Sequence, residues 1–175
     1  MYQTELYKID LKGLTDEVTP VEYPIGDQFF SSIEEAQVQG GSLQVEGTIR
    51  KAVGFFELQL QVNGSVRIPC DRCLELMDQP IDTSLRFIIK LGTENSEDDD
   101  DIIVIDERDA TLDTAWYVYE AIILAIPIQH VHPLGQCDAA MSEKLHQLST
   151  ARSSEADEKP IDPRWEVLEQ LKRNK

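Results

Sequence analysis

The sequence predicts an α+β fold: an antiparallel β-sheet built around a long hairpin, packed by one buried helix, with a short C-terminal helix. Three observations carry this expectation. Apolar and polar residues alternate through 43–68 and again through 81–91, the period of half-buried strands. The stretch from Ala115 to Ile126 is instead apolar nearly all round, with Glu120 its only charged interior member, and it stops at Pro127 as a core helix does. Asp162-Pro163 then opens a final segment whose apolar residues, Trp165, Leu168 and Leu171, recur at helical spacing.

A chain of 175 residues suits one well-buried domain with decorations. The expected organisation is one α+β domain over residues 1–148, a polar linker over 149–160 and a C-terminal helix over 161–175. From the start, Leu6, Ile9, Leu11 and Leu14 suit a first strand. Val21, Tyr23 and Ile25 alternate in a second, which Pro20 and Pro24 confine to a sheet edge because proline donates no ladder hydrogen bond. Ser31 to Ala36 suggests a brief helical turn.

Leu43, Val45, Gly47 and Ile49 mark the first long strand, turning near Val53-Gly54 into Phe56, Leu58, Leu60 and Val62. Asn63-Gly64 resembles a hairpin turn. The apolar phase nevertheless runs on through Val66 and Ile68, so one long strand is expected from Phe55, with Gly64 as a bulge or close backbone contact. Ile81 to Leu91 returns antiparallel to it. Glu94 to Asp101 carries six acidic residues and is expected to be an extended, solvated loop. Ile102 to Ile105 reads as a short strand, and Asp113 as the N-cap of the apolar helix. A short helix through Met141, Leu145 and Leu148 follows.

The sharpest chemical signal lies at the tip of the long hairpin, where Pro69-Cys70-Asp71-Arg72-Cys73-Leu74 places two cysteines at Cys-x-x-Cys spacing. Such a pair can hold half of a zinc site, form a redox dithiol, or pack as reduced thiols. Cys137 and His132 complete a candidate zinc set with Cys70 and Cys73, with His130 and His146 as further imidazoles. That second half has no regular spacing, and packing stands ahead of zinc on sequence grounds. A thioredoxin-like dithiol comes last, because Cys70 ends a strand instead of opening a helix. Neither a nucleophile elbow nor a phosphate-binding glycine loop is present, so no catalytic residues are assigned.

The formal net charge of −17 has the wrong sign for non-specific binding to nucleic-acid phosphates and the right one for a basic protein partner. Without a basic and apolar leader or a run of about 20 apolar residues, a soluble, cytoplasmic protein with no membrane association is expected.

Several of these residues also carry a family resemblance. Gly64 leads into Cys70-Asp71-Arg72-Cys73-Leu74-Glu75; Phe87, the acidic stretch and Leu124-Ala125-Ile126-Pro127 follow; Asp162-Pro163-Arg164-Trp165 closes the chain. In this order the chain resembles the YceD-like family of large ribosomal RNA subunit accumulation proteins. The resemblance implies a non-enzymatic factor supporting synthesis, processing or accumulation of large-subunit (23S) ribosomal RNA. A ribosomal protein or pre-ribosomal large-subunit particle is the implied partner, with Asp71, Arg72, Asp162 and Arg164 as candidate partner-binding residues. Many members carry a second cysteine cluster after the helix's proline. This chain keeps only Cys137 there, so the resemblance by itself does not complete a zinc site. The alternative function is a small cytosolic thiol redox protein using Cys70 and Cys73.

Overall fold

In the computed structural model, residues 4–33, 37–93, 96–99 and 101–149 are described. The strands are β1 (Lys8–Asp10), β2 (Val18–Ile25), β3 (Gly40–Ala52), β4 (Phe55–Pro69), β5 (Leu76–Gly92), β6 (Ser96–Asp99), β7 (Ile102–Asp106) and β8 (Thr111–Asp113). The helices are α1 (Asp27–Ser31), α2 (Ala115–Ala125) and α3 (Ala139–Leu148). The chain divides into two compact units, Met1–Asp138 and Ala139–Lys175. All the strands, α1 and α2 belong to the first, and α3 to the second.

The fold is α+β. Its six-stranded sheet runs in the order β2-β3-β4-β5-β7-β6, and β1 pairs with β8 in a separate two-stranded ribbon. The alternation of side chains along β3, β4 and β5 explains why these strands are so long. Phe56, Leu58, Leu60, Val62, Val66 and Ile68 all point to the buried face of β4, while Gln59, Gln61, Asn63 and Arg67 point to the other. A slip of one residue would reverse every one of them, which pins the register.

As the unbroken apolar phase predicts, β4 runs straight through Asn63-Gly64, with Gly64 paired to Leu43 on one side and Ile81 on the other. Gly64 has φ +149°, and a Cβ there would lie 2.3 Å from the Ser42 carbonyl oxygen, so this is a close backbone contact that only glycine makes.

The core lies on the inner sheet face. An aromatic group closes one part of it: Tyr7 meets Tyr23 and Phe29 edge-on, with ring centroids 5.3 and 5.2 Å apart. At its centre the fully buried Thr114 hydroxyl donates to the Tyr7 carbonyl and hydrogen-bonds the Tyr23 hydroxyl, each at 2.8 Å. Helix α2 closes another part against β5, burying Val118, Tyr119 and Ile122 and bringing Tyr117 to 5.0 Å from the Phe87 ring.

Four sequence expectations are corrected. The first strand is confined to Lys8–Asp10, preceded by a 3₁₀ turn over Thr4–Tyr7. A helical turn forms at Asp27–Ser31, N-terminal to the expected 31–36, because Phe29 and Phe30 are the apolar pair that the sheet can bury there; residues 34–36 of the expected turn lie outside the described residues. Ser96–Asp99, read as part of an acidic loop, forms edge strand β6 against β7. That fold-back lets β7 lie parallel to β5, with Ile88 opposite Ile102. The residue capping α2 is Thr114, with Asp113 Oδ1 accepting the Ala115 N–H at 3.0 Å. Helix α2 packs against the sheet as expected, while Trp116 and Leu124 on its other side lie open to solvent. Edge placement of β2 and termination of α2 before Pro127 agree with the sequence reading.

Candidate metal centre

The β4–β5 connection is a tight knuckle. Cys70 N donates to the Glu75 carbonyl and Leu74 N to the Cys70 carbonyl, both at 2.9 Å. To make this turn Leu74 takes φ +65°, a conformation that costs a leucine about 1–2 kcal/mol and that the surrounding hydrogen bonds hold in place. Both thiols consequently face inward, and Cys70 and Cys73 are buried.

The segment after α2 supplies the other half. Pro127 ends the helix, and residues 127–138 return past the knuckle in an irregular path that turns at Gly135, φ +85°. Backbone pairing locks the two loops together: Asp71 N donates to the His130 carbonyl at 2.9 Å, and His130 N donates to Asp71 Oδ2 at 2.8 Å. The Pro127 carbonyl can only accept, so His130 Nδ1, 3.1 Å away, carries a proton. His130 Nε2 lies 3.4 Å from Asp71 Oδ1, an ion pair when the imidazole is charged.

This clamp sets His132 and Cys137 beside the cysteine pair. One ligand atom from each of Cys70, Cys73, His132 and Cys137 lies within 4.8 Å of all the others. The structure thus brings the whole sequence-derived set together, although the sequence spacing of its second half is irregular. Three thiolates and one imidazole form a structural zinc donor set, and sulfurs on one tetrahedral zinc sit about 3.8 Å apart, given a Zn–S distance of about 2.3 Å.

The electrostatics favour an ionised thiol at the centre. Burial opposes ionisation of Cys70, yet N–H donors from Cys73, His132 and Arg72 and the His132 ring overcome it and bring the thiol down to about 6. Two of those donors, Arg72 N and His132 N, stand 3.4 Å from Cys70 Sγ. Hydrogen bonding to Cys70 in turn raises His132, whose Nδ1 is 3.3 Å from Cys73 Sγ. Burial holds the Cys137 thiol up, and its sulfur neighbours add to that effect. An ionised Cys70 with an imidazole and two further thiols around it is an arrangement that a divalent cation stabilises.

Among the partner-binding candidates, Asp71 is tied to His130, whereas Arg72 is exposed with no ion-pair partner among the described residues. Asp162 and Arg164 lie outside the described residues, as do the expected 161–175 helix and most of the 149–160 linker. Sequence reasoning missed the staple role of His130. Its signal was present in the paired polar residues Asp71 and His130, one on each loop, but nothing in their spacing linked them.

A family model described as "Large ribosomal RNA subunit accumulation protein YceD" matches residues 58–172, from within β4 through the knuckle to the C-terminal segment. The chain belongs to the YceD family. The match contains all four members of the thiol-imidazole cluster and leaves out β1, β2 and β3. The family name ties the chain to large-subunit ribosomal RNA accumulation and is not that of an enzyme family. Neither curated proteins nor solved structures give a match. No helix among the described residues is long and apolar enough to cross a membrane.

Proposed function

We propose that this protein is a non-enzymatic cytoplasmic factor that supports synthesis, processing or accumulation of large-subunit (23S) ribosomal RNA by binding a basic ribosomal protein or assembly intermediate. Family membership carries the ribosomal part of this proposal, and the net charge of −17 carries the choice of a basic partner. The same charge opposes non-specific contact with the RNA itself.

Zinc is the metal proposed for Cys70, Cys73, His132 and Cys137. Bound there, it would cross-link the β4–β5 knuckle to the segment after α2 as a closed structural ion. The chain's own residues then do the presenting: the knuckle holds Arg72 outward, while Asp71 and His130 fix its direction. In this proposal Asp162 and Arg164 join Asp71 and Arg72 in partner contact, carried on a polar tether over 149–160 beyond the domain of residues 1–148.

Two measurements test these statements. Deleting the gene is expected to lower mature large-subunit ribosomal RNA relative to small-subunit RNA, and unchanged rRNA and subunit profiles would sink the proposal. The purified protein is expected to hold about one zinc per chain by elemental analysis, lost in Cys70→Ser. The lowered Cys70 thiol also suits the thiol redox alternative, but its complete burial beside a third thiol and an imidazole favours metal. Metal-free protein with a reversible Cys70–Cys73 disulfide would select the redox alternative.

A further inference from the structure

The exposed side of α2 is unlike the surface of an ordinary helix. Trp116, Glu120 and Leu124 recur every four residues and so share one face. Trp116 is 60 % exposed and Leu124 78 %, and Ile128 just beyond the helix end is fully exposed. Beside this ridge runs an open groove of about 950 Å³ between α2, β5 and β7, its apolar floor formed by Leu85, Phe87, Tyr117, Ala121 and Leu124.

The charge at its mouth is acidic. Asp101 and Glu120 both line the groove and are exposed, with no ion-pair partner among the described residues. Arg86 also lines the groove, and its guanidinium is drawn to Glu57, with Arg86 Nε 2.8 Å from Glu57 Oε1.

We propose that this groove docks a lysine- or arginine-rich segment of a protein partner that carries apolar side chains on its other face. The apolar floor takes the apolar side chains, and Asp101 and Glu120 take the cations. A phosphate backbone is repelled by the same charges. The inference rests on the proposal that the protein works through a basic partner, and it adds to the knuckle contact a second surface for that partner. The buried centre of such a patch supplies affinity, while its charged rim sets association rate and salt dependence.

The test titrates individually purified large-subunit ribosomal proteins against the full-length protein by fluorescence anisotropy, at low and at high salt. At least one is expected to bind, more weakly at high salt, with Kd raised tenfold or more by Leu124→Lys and by Glu120→Lys. Val53→Lys, on the fully exposed β3–β4 turn, is expected to leave Kd unchanged. Leu124 and Glu120 are exposed, so neither variant threatens folding. No binding by any of these proteins, or binding that both groove variants leave intact, overturns the proposal. Self-association of the wild type that Leu124→Lys abolishes also overturns it, by making the groove an interface between two copies. Complementation of the deletion strain separates this proposal from the functional one. If wild-type protein restores ribosomal RNA and Leu124→Lys restores it equally, the groove is refuted while the function stands. If deletion has no effect on ribosomal RNA, the function falls and the titration alone decides the groove.

Discussion

Replacing Thr114 by valine keeps the shape of a fully buried side chain and removes its hydroxyl. That hydroxyl has one proton, donated to the Tyr7 carbonyl, so the Tyr23 hydroxyl must donate to Thr114 Oγ1. Burial pushes the Tyr23 phenol up to about 12, which keeps it a donor at neutral pH. In Thr114→Val the Tyr7 carbonyl still accepts the backbone N–H of residue 114, at 2.8 Å in the native protein. The buried Tyr23 hydroxyl is left with nothing. An orphaned buried donor costs about 1–3 kcal/mol. For a chain of this length each kcal/mol lowers Tm by about 2–4 °C, giving a fall of roughly 2–12 °C. Tyr23→Phe leaves the Thr114–Tyr7 bond intact and should cost no more than about 1 kcal/mol. The double variant has no orphan, so it is expected to be more stable than Thr114→Val by on the order of 1 kcal/mol. Urea and thermal unfolding followed by circular dichroism, with metal chelated throughout and the m-value unchanged, measure all three. A double variant destabilised by the full sum of the two singles would refute the reasoning.

Gly64→Ala should destabilise by on the order of 3 kcal/mol or more, since its Cβ would meet the Ser42 carbonyl at a backbone angle alanine resists. A Cm shift under about 1 kcal/mol would mean that β3 and β4 can separate locally at no great cost. The Glu57 carboxyl is held below its usual range by Arg50 first and Arg86 second. A carboxylate lowered on folding contributes stability that is full above its unfolded value, about 4.3, and is lost as pH falls through its folded one. The acid limb of the stability curve should therefore be shallower in Glu57→Gln, and an unchanged limb would remove the ion pairs from the account.

Much of the sheet was legible because its long strands are amphipathic and each residue's face follows from its parity. Leu58, Leu60, Val62, Val66 and Ile68 keep one phase across Asn63-Gly64, which outweighed the local turn signal. Parallel pairing of β5 and β7 had no such signature, because it depends on where β6 folds back. The same difference divides the metal centre. Cys70 and Cys73 lie on one turn and announce themselves by spacing. His132 and Cys137 reach them only because α2 packs on β5 and Asp71 grips His130, contacts that no sequence period encodes. The half-open state of α2 was illegible for the opposite reason: a helix apolar on every side does not say which side is covered.

The two ends of the sheet carry a last consequence. At one, β2 presents Pro20 and Pro24; at the other, β6 is a four-residue strand from an acidic stretch, with a register shift between Glu97 and Asp99. Both borders are poor templates for a foreign strand. Growth beyond these two outermost strands, whether by a client segment or by another molecule of the same kind, is therefore discouraged. The side of β5 away from β4 is different, because β7 pairs only with Ile88–Gly92 and no described strand covers residues 76–87 there, so any strand added to this sheet would have to enter at that point.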